Sequence, residues 1–506
     1  MWYATRADAV READGYARIL RSTSVMGLAS AVQAVVGLVR VKLVALLLGP
    51  SGIGVLALYT ATTTLIGTLT SAGWPTSAVR ALAQAHERHD DAQLAEIAAV
   101  LRHACWLSGL AGWLLMAALS PWLSDWVFAS RRHAGALAML GAVVLLGSLA
   151  SGHASVLQGV QRIGDIARYN VVAAVLGTLV AVALYAGMGH AGIVPALVAS
   201  AVVQLAFASH FAARVQVPHA APTWAMTWRR LRDLSGLGLA LTWSAVLMAA
   251  LDLFVRTVVM RTLGVDAAGH HQAAWMLSGV FAGFILTAMA ADYYPRLSAQ
   301  IDDPVAATRL VNHQTEIGML LALPGLISTL VFAPLLLSVF YSNDFRPGAA
   351  LMPWFVAGVF GRIVAWPLGF VLIARGASAL FAISETLFVL LQATLAFVLI
   401  GRYGLSGAAL AFALSYAVYA LAVFALARRL IGFRWSATVR ALLALSALAA
   451  ALFAVLSKHL DTRTLSIVGA AAVLLSAMLS LREVVRRLDC DHPLAARVRK
   501  AAPWLV

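Results

Sequence analysis

Residues 35–54 read VVGLVRVKLVALLLGPSGIG. They close an apolar run that follows Arg18 and Arg21 and reaches Leu48, where Gly49-Pro50 stops it. A signal-peptide core has roughly 7–15 apolar residues, whereas a membrane span needs about 20. The run therefore reads as a first membrane helix that is kept, not as a cleaved leader. Inside it sit Arg40 and Lys42, and Arg102, Arg256 and Arg362 lie in further apolar stretches. A positive charge near a bilayer centre costs about 2.5–3.5 kcal/mol. A chain keeps several only where something returns that energy, and a buried anion is the simplest candidate. The pattern reads as a membrane carrier with a basic interior.

Composition agrees. Hydrophobic residues are 61% of the 506 and charged residues 12%, with a mean hydropathy of +0.86. A soluble protein could not hide so much apolar surface. The unbroken runs exclude a β-barrel, whose strands alternate over roughly 10 residues. The net charge of +15 would suggest nucleic acid in a soluble chain. Here the basic residues mostly flank apolar runs, which is a topology signal, and no nucleic-acid partner is expected. Cys105 and Cys490 read as unpaired, without metal-site spacing.

The fold class is an all-α polytopic membrane protein. Fourteen transmembrane helices are predicted, at 21–48, 53–79, 97–120, 135–158, 169–187, 191–213, 235–260, 267–291, 314–341, 348–374, 379–400, 405–427, 439–457 and 463–481. Gly49-Pro50, Pro121, Gly187 and Gly404 punctuate them. The longest connections, 80–96, 214–234 and 292–313, fall on one side with both termini. Most Lys and Arg lie on that side; the opposite loops hold only Arg131, Arg132, Arg261, Arg346, Arg402, Lys458 and Arg463. Both termini are therefore expected in the cytoplasm.

A weak repeat runs through the chain at an offset of 215. Leu48-Gly49 recurs as Leu263-Gly264, Leu157 as Leu372, and Gly189 and Gly192 as Gly404 and Gly407. The cations echo it: Arg40 lies nine residues before Gly49, and Arg256 eight before Gly264. The offset spans six helices, so helices 1–6 pair with 7–12 as two pseudo-symmetric six-helix lobes around a central cavity. The expected organisation is a cytoplasmic N-terminal segment 1–20, an N-lobe 21–213, a linker 214–234, a C-lobe 235–430, two extra helices in 431–481 and a basic tail 482–506.

Some residues carry a resemblance. Phe360-Gly361-Arg362 is followed by the stretch from Gly369 through Ile373-Ala374-Arg375-Gly376 to Ser378, and by Ile383-Ser384-Glu385. Lys42 through Gly49-Pro50-Ser51-Gly52-Ile53-Gly54 and Tyr294-Pro295-Arg296-Leu297-Ser298 add to it. With these stretches the chain resembles the Wzx-type polysaccharide flippases of the MOP (MATE-like) exporter superfamily. Within that group it looks most like flippases for O-antigen units or lipid III of enterobacterial common antigen. The resemblance covers helices 1–12, and helices 13 and 14 have no counterpart in twelve-helix relatives. It implies a bacterial inner-membrane protein for O-antigen, lipopolysaccharide, common-antigen or exopolysaccharide assembly. The cargo would be an undecaprenyl-diphosphate-linked oligosaccharide, moved from the cytoplasmic to the periplasmic leaflet. Membrane lipids, a polysaccharide polymerase and a chain-length regulator are the implied partners; no cofactor is implied.

The candidate diphosphate or sugar contacts are Arg40, Lys42, Arg256, Arg362, Arg80 and Arg375. Arginine suits the task because its planar fork makes paired bonds to phosphate oxygens and keeps its proton. Each residue has a plainer reading. Arg40 or Lys42 can snorkel, since a two-residue spacing points them about 200° apart. Arg256 has Asp252 one turn away as an internal partner. Arg362 lies deepest, and Glu385 is a possible partner. Arg80 and Arg375 can be topology anchors, and Arg102, near the start of helix 3, can be interfacial. Asp252, Glu385 and Glu316 are the candidates for ion coupling, because a carboxylate in apolar surroundings can carry a proton. Trp74, Trp243, Trp275, Trp354 and Trp366 read as sugar platforms or as interfacial anchors. Gly279 and Gly283 read as a close helix-packing step.

No Walker loop, His-Glu-x-x-His or nucleophile elbow is present, so the chain is not read as an enzyme. The glycine-rich stretch 187–192 lacks a preceding strand and reads as a turn. The first rival function is a MATE-like cation-coupled drug exporter, disfavoured by the excess of intramembrane cations. A membrane glycan polymerase would need large outer loops with catalytic groups, and a passive scaffold would need no charge at membrane depth.

Overall fold

The computed structural model describes residues 2–71, 73–215, 239–459 and 462–487. Nearly all of the expected linker 214–234 and most of the tail 482–506, with Cys490, lie outside the described residues. The described residues are helical throughout. They form α1 (Trp2–Ser71), α2 (Trp74–Glu87), α3 (Asp91–Phe128), α4 (Ala134–Gly159), α5 (Ile163–Met188), α6 (Ile193–Ala213), α7 (Leu239–Leu263) and α8 (Val265–Gln300). There follow α9 (Pro304–Val331), α10 (Ala333–Phe340), α11 (Met352–Ala374), α12 (Ser378–Tyr403), α13 (Leu405–Ile431), α14 (Ala437–His459) and α15 (Thr462–Arg487). Two compact units divide the chain, Met1–Arg261 and Thr262–Val506.

Ten helical stretches among the described residues are long and apolar enough to cross a bilayer, or eleven with the bent pair Val265–Thr287 and Asp292–Gln300. The surface is that of a protein solvated by lipid. Leu421 and Leu474 are 70% and 71% exposed, which water would penalise across so many neighbouring apolar side chains.

In the first unit α1 is two helices that meet at Gly49, whose φ of 64° and ψ of −169° no helix contains. The second of them stops at Ser71, short of the predicted 79. Gly73 takes a left-handed φ of 72°, and Pro75 in the next turn starts α2. This short helix is amphipathic: it buries Ala78, Leu82 and Ala85 against Leu94, Leu101 and Val160, and leaves Arg80 exposed. Asp90 starts α3 by accepting the Gln93 N–H at 2.9 Å. Pro121 does not end α3, contrary to the sequence expectation. Its ring frees the Ala117 carbonyl, and the Ser120 hydroxyl donates to that oxygen at 2.8 Å. The helix runs on to Phe128.

The second unit has its packed end around Tyr293, Leu297, Val311, Leu368, Val423 and Phe433. The predicted connection 292–313 is mostly helix. α8 continues to Gln300, and Asp303 caps α9 by accepting from Val305 and Ala306. The predicted span 314–341 breaks at Phe332, after which Pro334 opens α10.

Each unit carries the same turn, 215 residues apart. After α4, the N–H groups of Val160, Gln161 and Arg162 donate to Val156, Gln158 and Leu157 at 3.0, 3.1 and 2.9 Å. After α11, Arg375, Gly376 and Ala377 donate to Val371, Ile373 and Leu372 at 3.0, 3.0 and 2.9 Å. Gln161 and Gly376 share a positive φ, 56° and 73°. The helices that follow, α5 and α12, are both 26 residues long. They end on Gly189 (φ 58°, ψ −134°) and Gly404 (φ 58°, ψ −140°). A Cβ on Gly192 would come within 2.5 Å of the Leu184 carbonyl oxygen, and one on Gly407 would collide with the Leu399 carbonyl, again 215 residues on. The stretch 187–192 is the turn the sequence suggested.

Candidate functional site

In the first unit Arg256 is a buried, ordered charge. It lies seven residues from the end of α7 and is 8% exposed. Nη2 sits 2.9 Å from Asp252 Oδ1, one helical turn back, and Nη1 donates to the Ala57 carbonyl at 3.0 Å. The second bond ties α7 to the second half of α1. The pairing with Asp252 is the self-neutralising arrangement that four-residue spacing allows. One donor is left over: Arg256 Nε is buried without a hydrogen-bond partner. Asp252 is 39% exposed at its side chain, so its other edge is open.

Arg40 is half-buried, with its guanidinium in electrostatic reach of the Tyr185 hydroxyl on α5. The two groups are close but not aligned as a hydrogen bond, because Tyr185 Oη is buried with no partner of normal geometry. Lys42 is also half-buried. Arg80 lies on the exposed face of the amphipathic α2, away from the Arg256 pair in sequence and in helix.

In the second unit Arg362 occupies the middle of α11 and is exposed. Its placement follows from the residue before it. Gly361 lets α11 approach α13, where a Cβ would come within 3.2 Å of Tyr416 Cβ. Arg362 is thereby in electrostatic reach of Tyr416. Tyr416 is buried and also feels Glu385. Glu385 is 7% exposed on α12 and accepts a 2.6 Å hydrogen bond from Tyr419 Oη. The rings of Phe388, Tyr416 and Tyr419 pack between them, with centroid separations of 4.8 Å from Phe388 to each tyrosine. A guanidinium, a carboxylate and two phenols thus share one aromatic cluster, with the carboxylate inside it and the guanidinium on its open edge. Sequence reading missed both tyrosines. Their three-residue spacing within an apolar span puts two hydroxyls on one face of α13, a readable signal.

The other candidates lie elsewhere. Arg375 Nη1 bonds Asp302 Oδ1 at 2.8 Å and the Ile301 carbonyl at 3.4 Å, so it braces the turn between α8 and α9. Glu316 is buried in α9 at 4% exposure. Trp275 is committed to packing, 4.8 Å from Phe412 and 5.5 Å from Phe355. Trp366 stacks among Tyr293 and Phe370. Trp243 and Trp354 remain about half exposed, at 49% and 43%. The Gly279 and Gly283 reading needs correction: a Cβ at either would meet no atom within 4 Å, so no neighbouring helix among the described residues presses on that face.

The fold is shared with solved membrane transporters. An inward-facing multidrug resistance MATE family transporter of the MOP superfamily aligns with a TM-score of 0.64 at 18% identity, covering 79% of this chain and 94% of its own. Lipid II flippase MurJ in an inward closed conformation aligns with a TM-score of 0.68 at 14% identity, covering 91% of this chain and 99% of its own. A MOP superfamily transporter from Pyrococcus furiosus aligns with a TM-score of 0.55 at 18% identity, covering 82% and 95%. No curated protein sequence matches the chain. The family model described as polysaccharide biosynthesis protein matches residues 43–350, more than half of the chain. This multi-pass membrane protein, with the fold of MATE transporters and MurJ, belongs to the polysaccharide biosynthesis protein family.

Proposed function

We propose that the chain is a Wzx-type flippase carrying an undecaprenyl-diphosphate-linked oligosaccharide from the cytoplasmic to the periplasmic leaflet of a bacterial inner membrane. The observation that carries this reading is Arg362. It is an exposed guanidinium at mid-span with no ion pair among the described residues. Facing lipid there would be costly, so it belongs on a watered path where an anion is expected. Membership of a polysaccharide biosynthesis family supports the glycan, and the fold shared with a lipid II flippase supports a lipid-linked one.

The proposed architecture has fourteen spans. Leu28–Ser71 and Ile163–Ala213, with 44 and 51 residues, exceed twice the roughly 20 residues a bilayer takes. Each breaks at a glycine of positive φ and counts as two. The bent Val265–Gln300 and the shorter apolar helix at Ala437–Ala449 complete the set. The repeated turns support two pseudo-symmetric lobes, 21–213 and 235–430, rocking around a central cavity with both termini cytoplasmic. In this scheme Arg256, Arg40, Lys42 and Arg362 hold the diphosphate and sugar. Arg80 and Arg375 meet the headgroup at the cytoplasmic ends. Asp252, Glu385 and Glu316 couple the cycle to an ion. The polymerase and chain-length regulator are the proposed partners that use the delivered unit.

The drug-exporter alternative shares the fold, so the site must decide. An exporter of organic cations needs an acid whose charge is not already balanced, whereas Asp252 is paired with Arg256 and Glu385 accepts from Tyr419. The test is transport in proteoliposomes. The flippase reading predicts movement of a short-chain polyprenyl-diphosphate oligosaccharide between leaflets. Inactivity on several such glycans, with export of an organic cation, would establish the alternative.

A further inference from the structure

A second basic site lies inside the first unit, on helices other than those of the Arg256 pair. α3, α4 and α6 line a half-open cavity of about 490 Å³, within the range that holds small ligands. Its walls are mostly apolar, as at Ala98, Val156 and Leu205, and its titratable lining is Arg102, His153 and Cys105. No carboxylate lines it among the described residues. Arg102 is exposed to the cavity side and forms no ion pair or hydrogen bond among the described residues; its electrostatic neighbour is His153, itself a base. Two bases on the lining of one mostly apolar cavity, with no carboxylate on that lining among the described residues, lack the anion that would make the arrangement favourable.

The depth of the cavity narrows the anion. His153 lies six residues before the end of α4 and Ser209 four before the end of α6. That is roughly 9 Å and 6 Å below the helix ends, at the level where headgroups give way to acyl chains. The charge distribution assigns these ends to the cytoplasmic leaflet. The polar groups and the greasy walls then match the two halves of one molecule.

We propose that this cavity binds the phosphate and upper acyl region of an anionic phospholipid of the inner leaflet, with Arg102 and His153 on the phosphate. The lining shares no residue with the Arg256–Asp252 pair, and the proposal does not depend on the flippase reading. A resident lipid there would fill the space between α3 and α6 and hold their cytoplasmic ends at a fixed distance.

The test uses full-length protein in a mild detergent and counts bound lipid by native mass spectrometry. The probes are dioleoylphosphatidylglycerol, dioleoylphosphatidylcholine and inorganic phosphate. The wild type should retain phosphatidylglycerol well above phosphatidylcholine. Arg102→Gln should weaken that retention about tenfold, the worth of one charge-assisted bond. Arg102→Lys should restore most of it, and His153→Gln should give a smaller loss. Should Arg102→Gln fail to fold, Ala98→Leu, which narrows the cavity and leaves both bases, should weaken retention as well. Equal retention of the two lipids, or of phosphatidylglycerol by wild type and Arg102→Gln, would overturn the proposal. Displacement of the lipid by inorganic phosphate alone would also overturn it and define a free-anion site.

Discussion

The two units share their turns and differ in their charges. The turn after α4 and the turn after α11 match bond for bond at an offset of 215, and Gly189 and Gly404 have nearly the same torsions. The polar residues do not follow that frame. Arg362 stands where the first unit has Gly147, Glu385 where it has Asn170, and Tyr419 where it has Gln204. Arg256, in the first unit by contact, precedes the Gly264 turn as Arg40 precedes Gly49. The scaffold repeats because helix ends must be closed whatever the cargo. The chemistry is free to diverge because it sits on helix faces that the turns do not constrain. The two arginines show the result. Arg256 is buried and bonded to Asp252 and Ala57, while Arg362 is exposed beside Tyr416.

If the shared turns are what holds each unit, damage to them should be the largest effect and should be alike in both. Gly407→Ala and Gly192→Ala each drive a methyl into a backbone carbonyl, which should cost about 1–3 kcal/mol. Thermal unfolding of the detergent-solubilised protein reads it. A large loss in one unit with none in the other would break the comparison.

The paired arginine comes next. Asp252→Ala leaves Arg256 buried with its main partner gone. Full burial of the pair would make that worth about 3–5 kcal/mol. Asp252 is 39% exposed, so solvent screens part of it and about 2 kcal/mol is expected. Arg256→Met, which removes the charge and keeps the volume, should be milder than Asp252→Ala; the reverse order would show that the pair is not an internal neutralisation. Tyr419→Phe removes the 2.6 Å bond to the Glu385 carboxylate and should lower stability by about 1–2 kcal/mol. Arg375→Ala gives a smaller stability effect, about 1 kcal/mol or less, because its partner Asp302 is 97% exposed.

The sequence carried the scaffold further than the site. The positions of Gly49, Gly189, Gly264 and Gly404 marked real breaks, since a left-handed or extended glycine is what a tight reversal between two helices requires. The amphipathic α2 was hidden because residues 53–79 read as one apolar run. Gly73-Trp74-Pro75 was the start signal inside it. Pro121 misled because the rescue of the Ala117 carbonyl by Ser120 depends on a single side-chain rotamer. At the site, the Arg256–Asp252 pair was legible from four-residue spacing. The partners of Arg362 and Arg102 were not, since Tyr416 and His153 lie 54 and 51 residues away in sequence and meet them only through helix packing. Gly279 and Gly283 show the same limit in reverse, a packing motif with nothing packed on it among the described residues.

The central claim is that Arg362 serves the cargo, and transport by Arg362→Gln in proteoliposomes tests it most directly. Because Arg362 is exposed and in no ion pair among the described residues, this variant should unfold within about 0.5 kcal/mol of wild type. Its flipping of a short-chain polyprenyl-diphosphate oligosaccharide should fall at least about tenfold, the loss of one charge-assisted bond to a phosphate oxygen. Wild-type flipping by a folded Arg362→Gln protein would contradict the account.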